Sequence, residues 1–178
     1  MEKIIIDEDQ FVRTISRISH EIIEKHHSLD DIIIVGIKRR GAEIAELIQR
    51  KIADLTGTQL PSIDLDITFY RDDLEYVEPS QTPIYKGASG FISIQNKIVI
   101  LVDDVLFTGR TIRAALDALV DFGRAAKVEL VIFVDRGHRE LPIRADYVGK
   151  NVPTSRSEKV QVRTIKFDGC YEVALLTK

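Results

Sequence analysis

Hydrophobic residues recur at helical spacing in three segments of the chain. In each segment, steps of three and four residues between apolar positions predict a helix with one buried face. The three predicted helices run from Phe11 to about His26, from Ala42 to Leu55 and from Ile112 to Leu119. Gly57 and Gly123 follow the second and third segments, and glycine commonly ends a helix.

Shorter apolar runs predict the strands. Unbroken β-branched runs are typical of strands that are covered on both faces of a parallel sheet. Ile32 to Val35 is such a run, and Ile98 to Val102 and Val128 to Val134 are further apolar segments that predict buried strands. Ile63 to Tyr70 alternates apolar and polar residues instead, which predicts a strand with one buried face. Val160 to Ile165 and Glu172 to Leu176 predict a terminal hairpin around Asp168 and Gly169.

Two segments lack a clear pattern. Arg71 to Gly90 contains two prolines, two glycines and four acidic residues. It is longer than most connections in compact domains, so we interpret it as a mobile lid or a hairpin. Asp135 to Lys159 has mixed charge and is predicted to be irregular.

The order of these elements predicts the fold class. Strands alternate with helices through the first two thirds of the chain, which favours an α/β fold. We expect a central, largely parallel sheet flanked by helices, with a small hood and a flexible loop or hairpin. At 178 residues the chain is long enough for one sizeable core, so we expect a single domain over residues 1–178.

Composition excludes several classes of function. The net charge of −3 argues against a surface built throughout for nucleic acid, so any polyanion site must be a local patch. The one cysteine, Cys170, permits no intramolecular disulfide, and the first residues lack the apolar core of a signal peptide. No apolar run is long enough to cross a bilayer. We therefore expect a cytoplasmic protein without a membrane role.

The residues that follow the predicted strands carry the candidate chemistry. In an open α/β sheet, ligands bind beyond the carboxyl ends of the strands, so the loops after Val35, Val102 and Val134 should converge on one crevice. The residues after Val102 are Asp103, Asp104, Val105, Leu106, Phe107, Thr108, Gly109, Arg110 and Thr111. The last four of these are predicted to open a helix.

A phosphate group fits the start of that helix. Its first N–H groups lack partners within the helix and carry partial positive charge. Thr108 and Thr111 add hydroxyl donors, and Gly109 lets the backbone approach an anion closely. The carboxylates of Asp103 and Asp104 repel a phosphate, but they can accept hydrogen bonds from sugar hydroxyls or hold a divalent cation. Phosphate and ribose would then lie side by side.

Taken alone, the segment also has a simpler interpretation. The two acids can be a solvated strand end, and Thr108 can be the N-cap of the helix. A Walker phosphate loop is excluded, because the chain has no Gly-Lys-Ser or Gly-Lys-Thr, and the dinucleotide pattern G-x-G-x-x-G is also absent.

Asp103 to Thr111 resembles the signature with which type I phosphoribosyltransferases bind phosphoribosyl pyrophosphate (PRPP). The resemblance implies that the acids hold the ribose hydroxyls. Residues 64–73, this signature and residues 134–150 also resemble the PyrR family of pyrimidine operon regulators, and the likeness covers nearly the whole chain. Hypoxanthine-type transferases share the signature but have a different hood over the base. The run from Arg136 to Arg144 favours the regulator family.

The resemblance to the regulators implies two activities. The first is a uracil phosphoribosyltransferase, which converts uracil and PRPP to UMP and diphosphate with Mg²⁺. The metal would be held mainly through PRPP, near Asp103 and Asp104. The second is RNA binding that depends on UMP or UTP, at the leader mRNA of a pyrimidine operon, by a homo-oligomer. A purine transferase and a regulator with little catalytic activity remain the alternatives.

A second loop carries candidate ligands for pyrophosphate. Gly36 and Gly41 bracket the cations Lys38, Arg39 and Arg40 in a turn before a helix. Cations and turn amides together can neutralise a leaving group with several charges. The alternative is a solvated basic turn. Relatives tend to have threonine in place of Arg39, which makes Lys38 and Arg40 the better candidates.

The base and the lid complete the expected active site. Water competes for a reactive sugar cation, so a lid should exclude it, and Arg71 could travel with the segment that it begins. Arg71 can equally belong to a surface charge cluster. We expect uracil to be bound under the hood by main-chain groups around Val134 to Arg136 and near Ile143.

A local basic surface is the candidate RNA site. Its residues lie on the first helix and after Val134, and the resemblance implies that they face RNA; they are Ser16, Arg17, His20, His138, Arg139, Arg144 and Lys150. These cations can instead pair with acidic residues within a subunit interface; the candidate partners are Glu21, Glu140, Asp146 and Glu158.

Overall fold

The computed structural model of the chain describes residues 1–70 and 92–177. Its strands, in chain order, are β1 (Glu2–Ile6), β2 (Ile32–Ile37), β3 (Ser62–Leu65), β4 (Ile98–Leu106), β5 (Lys127–Asp135), β6 (Tyr147–Asn151), β7 (Lys159–Arg163) and β8 (Glu172–Leu176). Within the described residues, five strands form a parallel sheet in the order β3-β2-β4-β5-β6. The predicted α/β fold with a parallel central sheet is confirmed.

The helices agree closely with the hydrophobic periodicity. They are α1 (Glu8–Lys25), α2 (Arg40–Thr56), α3 (Arg110–Leu119) and the short α4 (Ile165–Asp168), with 3₁₀ turns at Thr68–Tyr70 and Val120–Phe122. Asp7 caps α1 by accepting a hydrogen bond of 2.8 Å from the backbone N–H of Gln10. Gly57 ends α2 in the left-handed conformation, as predicted. In the described part of the chain, no helix combines the length and apolar character needed to cross a membrane.

A second, smaller sheet joins the two ends of the chain. β8 pairs antiparallel with β1 on one side and with β7 on the other. The predicted terminal hairpin is therefore present, with α4 between its strands. β1 was not predicted from the sequence, because only Ile6 among its five residues is buried and its partner strand begins at Glu172.

The central sheet separates two hydrophobic cores. Successive side chains of a strand point to opposite faces, so Ile32 and Ile34 pack in the core that contains α1 and α2. Ile33 and Val35 pack on the other face, in the core that contains α3. All six residues of β2 are buried. This two-sided burial explains why β2, β4 and β5 consist mainly of apolar residues.

Two strand predictions need correction. The strand predicted to reach Tyr70 ends at Leu65, because the Asp66 carboxylate accepts hydrogen bonds from the N–H (3.1 Å) and hydroxyl (2.7 Å) of Thr68. Such local bonds turn the chain away from a ladder. The segment predicted to be irregular contains β6, which pairs with β5. A Cβ at Gly149 would lie 2.3 Å from the carbonyl oxygen of Phe133, so glycine permits this close pairing.

A buried carboxylate connects α1 to β5 and β6. The side chain of Glu129 has no exposed area and accepts hydrogen bonds from the ring Nε2 of His26 (3.0 Å) and the hydroxyl of Tyr147 (2.6 Å). Lys127 Nζ and Lys25 Nζ lie 2.6 Å and 3.2 Å from its other oxygen. Burial raises the pKa of Glu129, but these four partners outweigh it and lower the pKa to about 2.

Glu129→Gln should therefore reduce stability in a pH-dependent way. The depressed pKa means that the ionised carboxylate stabilises the folded state above pH 4.5, and this contribution is lost as the pH falls from 4.5 towards 2. At neutral pH we expect the substitution to lower the free energy of unfolding by an amount on the order of 3 kcal/mol. Urea unfolding of both proteins between pH 2 and pH 7 measures this difference.

The control for this prediction is Asp31→Asn, which removes an exposed ion pair with Lys97 (2.7 Å). It should change the free energy of unfolding by less than about 1 kcal/mol. If Glu129→Gln and the unmodified protein lost stability in parallel as the pH fell, the stabilising role of the ionised Glu129 would be wrong.

Candidate functional site

The carboxyl ends of β2 and β4 open into one cleft of about 410 Å³. It is lined by the cations Lys38, Arg39 and Arg40, by Asp103 and Asp104, and by Thr111, among others. An adjoining cavity of about 230 Å³ is lined by Val105 to Ile112. The loops that were expected to converge after the first two core strands therefore do so.

The two acids lie within β4 rather than after it. The strand continues through Asp103 and Asp104 to Leu106, four residues beyond the predicted end. The backbone N–H of Asp104 donates to the carboxylate of Asp103 (2.9 Å), and the N–H of Val105 donates to that of Asp104 (2.8 Å). Removal from bulk water raises the pKa of Asp104, although the Val105 N–H and the nearby Arg40 act in the opposite direction.

Gly41 allows α2 to begin against these acids. A Cβ at this position would lie 2.7 Å from the carbonyl oxygen of Val102 and 3.1 Å from a carboxylate oxygen of Asp103. Only glycine permits so close an approach without a shift of the backbone. The sequence showed that Gly41 ends the basic turn, but the periodicity gave no sign that it faces β4.

The phosphate loop, residues 105–111, runs from the end of β4 into the first turn of α3. Gly109 has φ of 94° and precedes the first helical residue, so the chain turns there in the left-handed region that favours glycine. The hydroxyl of Thr108 accepts a hydrogen bond from the N–H of Arg110 at 3.4 Å. The Arg110 side chain donates to Glu140 at 3.2 Å, which links this loop to the segment after β5. The start of α3 thus presents backbone N–H groups beside the acids.

The cation loop, residues 38–40, faces the acids across the cleft. Lys38 and Arg39 are exposed, and the peptide bond between them is cis. Lys38 Nζ lies 4.0 Å from the carboxylate of Asp66. Arg40 makes a two-point contact with Asp168 on α4: Nε donates at 3.0 Å and Nη2 at 2.8 Å. The Asp168 carboxylate raises the pKa of Arg40, so its guanidinium stays charged.

The hood segment, residues 136–144, covers the phosphate loop. The guanidinium of Arg136 is buried, lies 4.0 Å from the centre of the Phe107 ring and donates to the carbonyl oxygen of Ser155 (3.1 Å). Burial lowers the pKa of Arg136. The side chain of Ile143 would contact a Cβ at Gly109 at 3.3 Å, so it packs against the loop. Val134 is buried in the core, which leaves only its main chain for a ligand.

Arg139 fastens the hood segment to the phosphate loop. Its guanidinium donates to the carbonyl oxygens of Ile143 (3.0 Å) and Phe107 (3.0 Å) and also pairs with Asp135. His138 has φ of 63°, and its ring Nε2 lies 2.6 Å from the carbonyl oxygen of Thr154. His138 and Arg139, which were predicted to face RNA, therefore also hold the hood segment together.

The other residues predicted to bind RNA lie on α1 and beside β6. Arg17 donates to the carbonyl oxygen of Gly149 (2.6 Å) and pairs with Glu21 (2.5 Å). Lys150 donates to the carbonyl oxygen of Ile5 (2.9 Å), and His20 lies 2.7 Å from that of Ser16. Ser16, Arg17 and His20 thus lie on α1, and Arg17 reaches the β6 backbone next to Lys150, whereas Arg144 is exposed on the hood segment. Arg71 lies outside the described residues.

Asp104→Asn should stabilise the protein while removing a charge from the cleft. Since the pKa of Asp104 is raised above 3.8, the folded protein binds this proton more tightly than the unfolded chain does. Ionisation above that pH therefore costs stability. We expect a higher melting temperature for Asp104→Asn than for the unmodified protein at pH 7, and a difference that shrinks as the pH falls through the raised pKa towards 3.8.

Differential scanning calorimetry at several pH values tests this expectation. Asp64→Asn, on the exposed side of β3, is the matched control and should change the melting temperature little. A lower melting temperature for Asp104→Asn at pH 7 would mean that the charged carboxylate stabilises the fold, contrary to this account.

Comparison with known proteins assigns the chain to a family. Residues 3–167 match the family described as phosphoribosyl transferase domain. A protein of Actinobacillus succinogenes named "Bifunctional protein PyrR" is 86% identical over 179 residues, which cover 100% of both chains. A protein of the same name from Haemophilus influenzae is 76% identical, also over 100% of both chains.

Solved structures show the same fold at low sequence identity. The hypoxanthine phosphoribosyltransferase of Trypanosoma cruzi superposes with a TM-score of 0.70 at 18% identity, over 98% of this chain and 96% of that one. The enzyme of the same name from Staphylococcus aureus has a TM-score of 0.66 at 20% identity, over 86% and 79% of the chains. The chain belongs to the phosphoribosyl transferase domain family and, within it, to the PyrR family of bifunctional proteins.

Proposed function

We propose that the chain transfers the phosphoribosyl group of PRPP to uracil, giving UMP and diphosphate, and that it also regulates pyrimidine biosynthesis genes by binding RNA in response to uridine nucleotides. Its relatives carry the name "Bifunctional protein PyrR". One observation carries the enzymatic half. Two adjacent carboxylates at the end of a buried parallel strand and a loop of three cations share one cleft, and a phosphate loop at a helix start lines the cavity that adjoins it.

Each part of PRPP has a chemically matched place in this cleft. The 5-phosphate suits the start of α3, where N–H groups and the hydroxyls of Thr108 and Thr111 can donate to its oxygens. The ribose hydroxyls suit Asp103 and Asp104, because ionised carboxylates are strong acceptors. The pyrophosphate suits Lys38, Arg39 and Arg40 across the cleft, since several cations offset its charge; these three line the same cleft as the acids.

Mg²⁺ fits the donor set of the cleft as a metal shared with the substrate. Within the described residues, no group of three or more His, Cys, Asp or Glu side chains is arranged to hold a metal ion. Mg²⁺ commonly binds one or two carboxylates together with phosphate oxygens of a substrate, so Asp103 and Asp104 are sufficient protein ligands. When bound, the metal would neutralise charge on the departing pyrophosphate.

The residues of the chain would stabilise the transition state electrostatically. Displacement of pyrophosphate from the anomeric carbon by N1 of uracil, with the N1 proton passing to the departing pyrophosphate, develops positive charge on the sugar. No protein nucleophile is required. The carboxylates of Asp103 and Asp104 lie on the ribose side and the cations of the cation loop on the leaving-group side. The carboxylates would thus stabilise the positive charge that develops on the sugar, and the cations the negative charge on the departing pyrophosphate. Uracil would be bound by main-chain groups of Val134 and Arg136 and covered by Ile143.

Conversion of radiolabelled uracil to UMP with PRPP and Mg²⁺ tests the enzymatic half. We expect turnover with uracil and none with hypoxanthine or guanine, and we expect Asp104→Asn to lower kcat/KM by roughly a hundredfold or more. The Asp64→Asn protein should retain activity. Turnover of a purine with uracil ignored would instead make the chain a hypoxanthine-type transferase. Binding of UMP without turnover of any base would make it primarily a regulator.

Two groups of cations support the regulatory half. Arg17 and Lys150 lie near each other across α1 and β6, where Arg17 contacts the backbone of Gly149. His138, Arg139 and Arg144 belong to the hood segment. A local basic surface of this kind gives RNA binding a salt-dependent term despite the net negative charge of the chain. Since the protein would act on a transcript, we propose that it is cytoplasmic. We also propose that it forms a homo-oligomer.

Arg144→Gln should weaken RNA binding without changing uracil turnover. Arg144 is exposed, so its substitution leaves the core intact. A hairpin transcribed from the leader of the pyrimidine operon of the host should bind the unmodified protein more tightly with UMP than without it. For Arg144→Gln we expect the slope of log affinity against log salt concentration to become shallower, by the amount that corresponds to the loss of about one phosphate contact.

Lys97→Gln, which removes an exposed cation paired with Asp31 at the opposite end of β4, is the control. It should retain the affinity and the salt slope of the unmodified protein. Equal RNA binding by Arg144→Gln and the unmodified protein would show that this surface does not face RNA, and loss in the control would show that the effect is not local.

A further inference from the structure

Asp168 contacts Arg40, a residue of the cleft, from a connection between two strands of the smaller sheet. It lies at the end of α4, in the connection between β7 and β8, and it is 128 residues from Arg40 in the sequence. Its two carboxylate oxygens accept from Nε and Nη2 of Arg40 at 3.0 Å and 2.8 Å. The backbone N–H of Thr164 donates to the same carboxylate at 3.0 Å. The sequence had suggested only a turn at this position.

α4 is itself fastened to α2, the helix that begins at Arg40. The backbone N–H of Lys166 donates to both carboxylate oxygens of the buried Glu43 at 3.2 Å. The hydroxyl of Tyr171 donates to Glu43 at 3.3 Å, and Lys166 pairs with Glu46. Contacts on both sides of Asp168 therefore fix the position from which it holds the guanidinium.

The pair leaves Arg40 able to bind an anion. A guanidinium has five N–H donors in a planar fork, and the contact with Asp168 uses two of them. The side chains of Arg40 and Asp168 are 31% and 14% exposed, so the pair is partly shielded from water and held in one geometry. Arg40 also lines the cleft together with Asp104 and Thr111. The remaining donors can serve a phosphate oxygen there.

We propose that Asp168 is a positioning residue, which holds the Arg40 guanidinium against the pyrophosphate group of the substrate. This inference rests on the proposed binding of PRPP in the cleft and adds a residue that the signature motifs do not contain. A preformed cation loses less conformational entropy when the anion arrives, so binding is stronger. If Asp168 merely neutralised Arg40, its removal would have the opposite effect and strengthen anion binding.

Asp168→Asn tests the inference, because asparagine keeps the size of the side chain and removes its charge. We expect the KM for PRPP and the dissociation constant of inorganic pyrophosphate to rise about tenfold. The KM for uracil should stay within about twofold of its original value, since the base binds on the other side of the ribose. Isothermal titration of Mg²⁺-pyrophosphate into the protein gives the second quantity without any turnover.

Two further variants separate positioning from general destabilisation. Glu172→Gln removes the Arg163–Glu172 ion pair (2.5 Å) from the same sheet and should leave pyrophosphate binding unchanged. In an Arg40→Ala background, Asp168→Asn should have no further effect on pyrophosphate binding. If Asp168→Asn failed to fold, Arg40→Lys, which keeps the charge without the fork, should weaken pyrophosphate binding to a similar extent.

Unchanged or tighter pyrophosphate binding by folded Asp168→Asn would overturn the inference, as would an equal loss in the Arg40→Ala background. Failure of the proposed function looks different. In that case the unmodified protein makes no UMP, whereas the inference stands if it binds pyrophosphate and Asp168→Asn weakens that binding.

Discussion

The two-sided burial of β4 is the constraint on which the rest of the structure depends. β4 pairs with β2 and β5, and the residues from Val99 to Val102 are fully buried between the two cores. Because a parallel strand must run straight through such a layer, its carboxyl end emerges at a defined edge. Asp103 and Asp104 are placed by that geometry, and the close start of α2 at Gly41 follows from it.

Charge balance is the second constraint on the cleft. Burial makes the ionised form of Asp104 costly, and Arg40 offsets part of that cost. Arg40 is in turn held by Asp168, whose pKa is lowered by the same contact. Negative and positive groups thus alternate from β4 to the smaller sheet. A substrate that carries phosphate, hydroxyl and pyrophosphate groups, as PRPP does, can complement this alternation better than a simple anion.

Sequence periodicity predicted the elements that are buried on a regular face. α1, α2, β2, β4 and β5 all belong to this class, since burial imposes the spacing of their apolar residues. β1 and β6 escaped prediction because their burial is partial and their pairing depends on distant residues. Ile67 stays buried in phase with the predicted strand, but the Asp66 side chain turns the backbone.

The candidate site also contains features that the sequence predicted and features that only the structure reveals. The acids, the phosphate loop and the cation loop could be found from sequence, because each follows or ends a core strand. The contact of Arg40 with Asp168 joins the start of α2 to the end of α4, 128 positions apart in the sequence, so no local pattern contains it. The hydrogen bonds of Arg139 to backbone carbonyl oxygens could not be predicted from the sequence either. They show that this residue, which was predicted to face RNA, also holds the hood segment in position.

The most direct measurement is a crystal structure of the protein with PRPP and Mg²⁺. We expect the 5-phosphate at the backbone N–H groups of residues 108–111, the ribose hydroxyls on Asp103 and Asp104, and the pyrophosphate beside Lys38 to Arg40. A 5-phosphate bound at the cation loop, or PRPP bound away from the two acids, would contradict the assignment of this cleft.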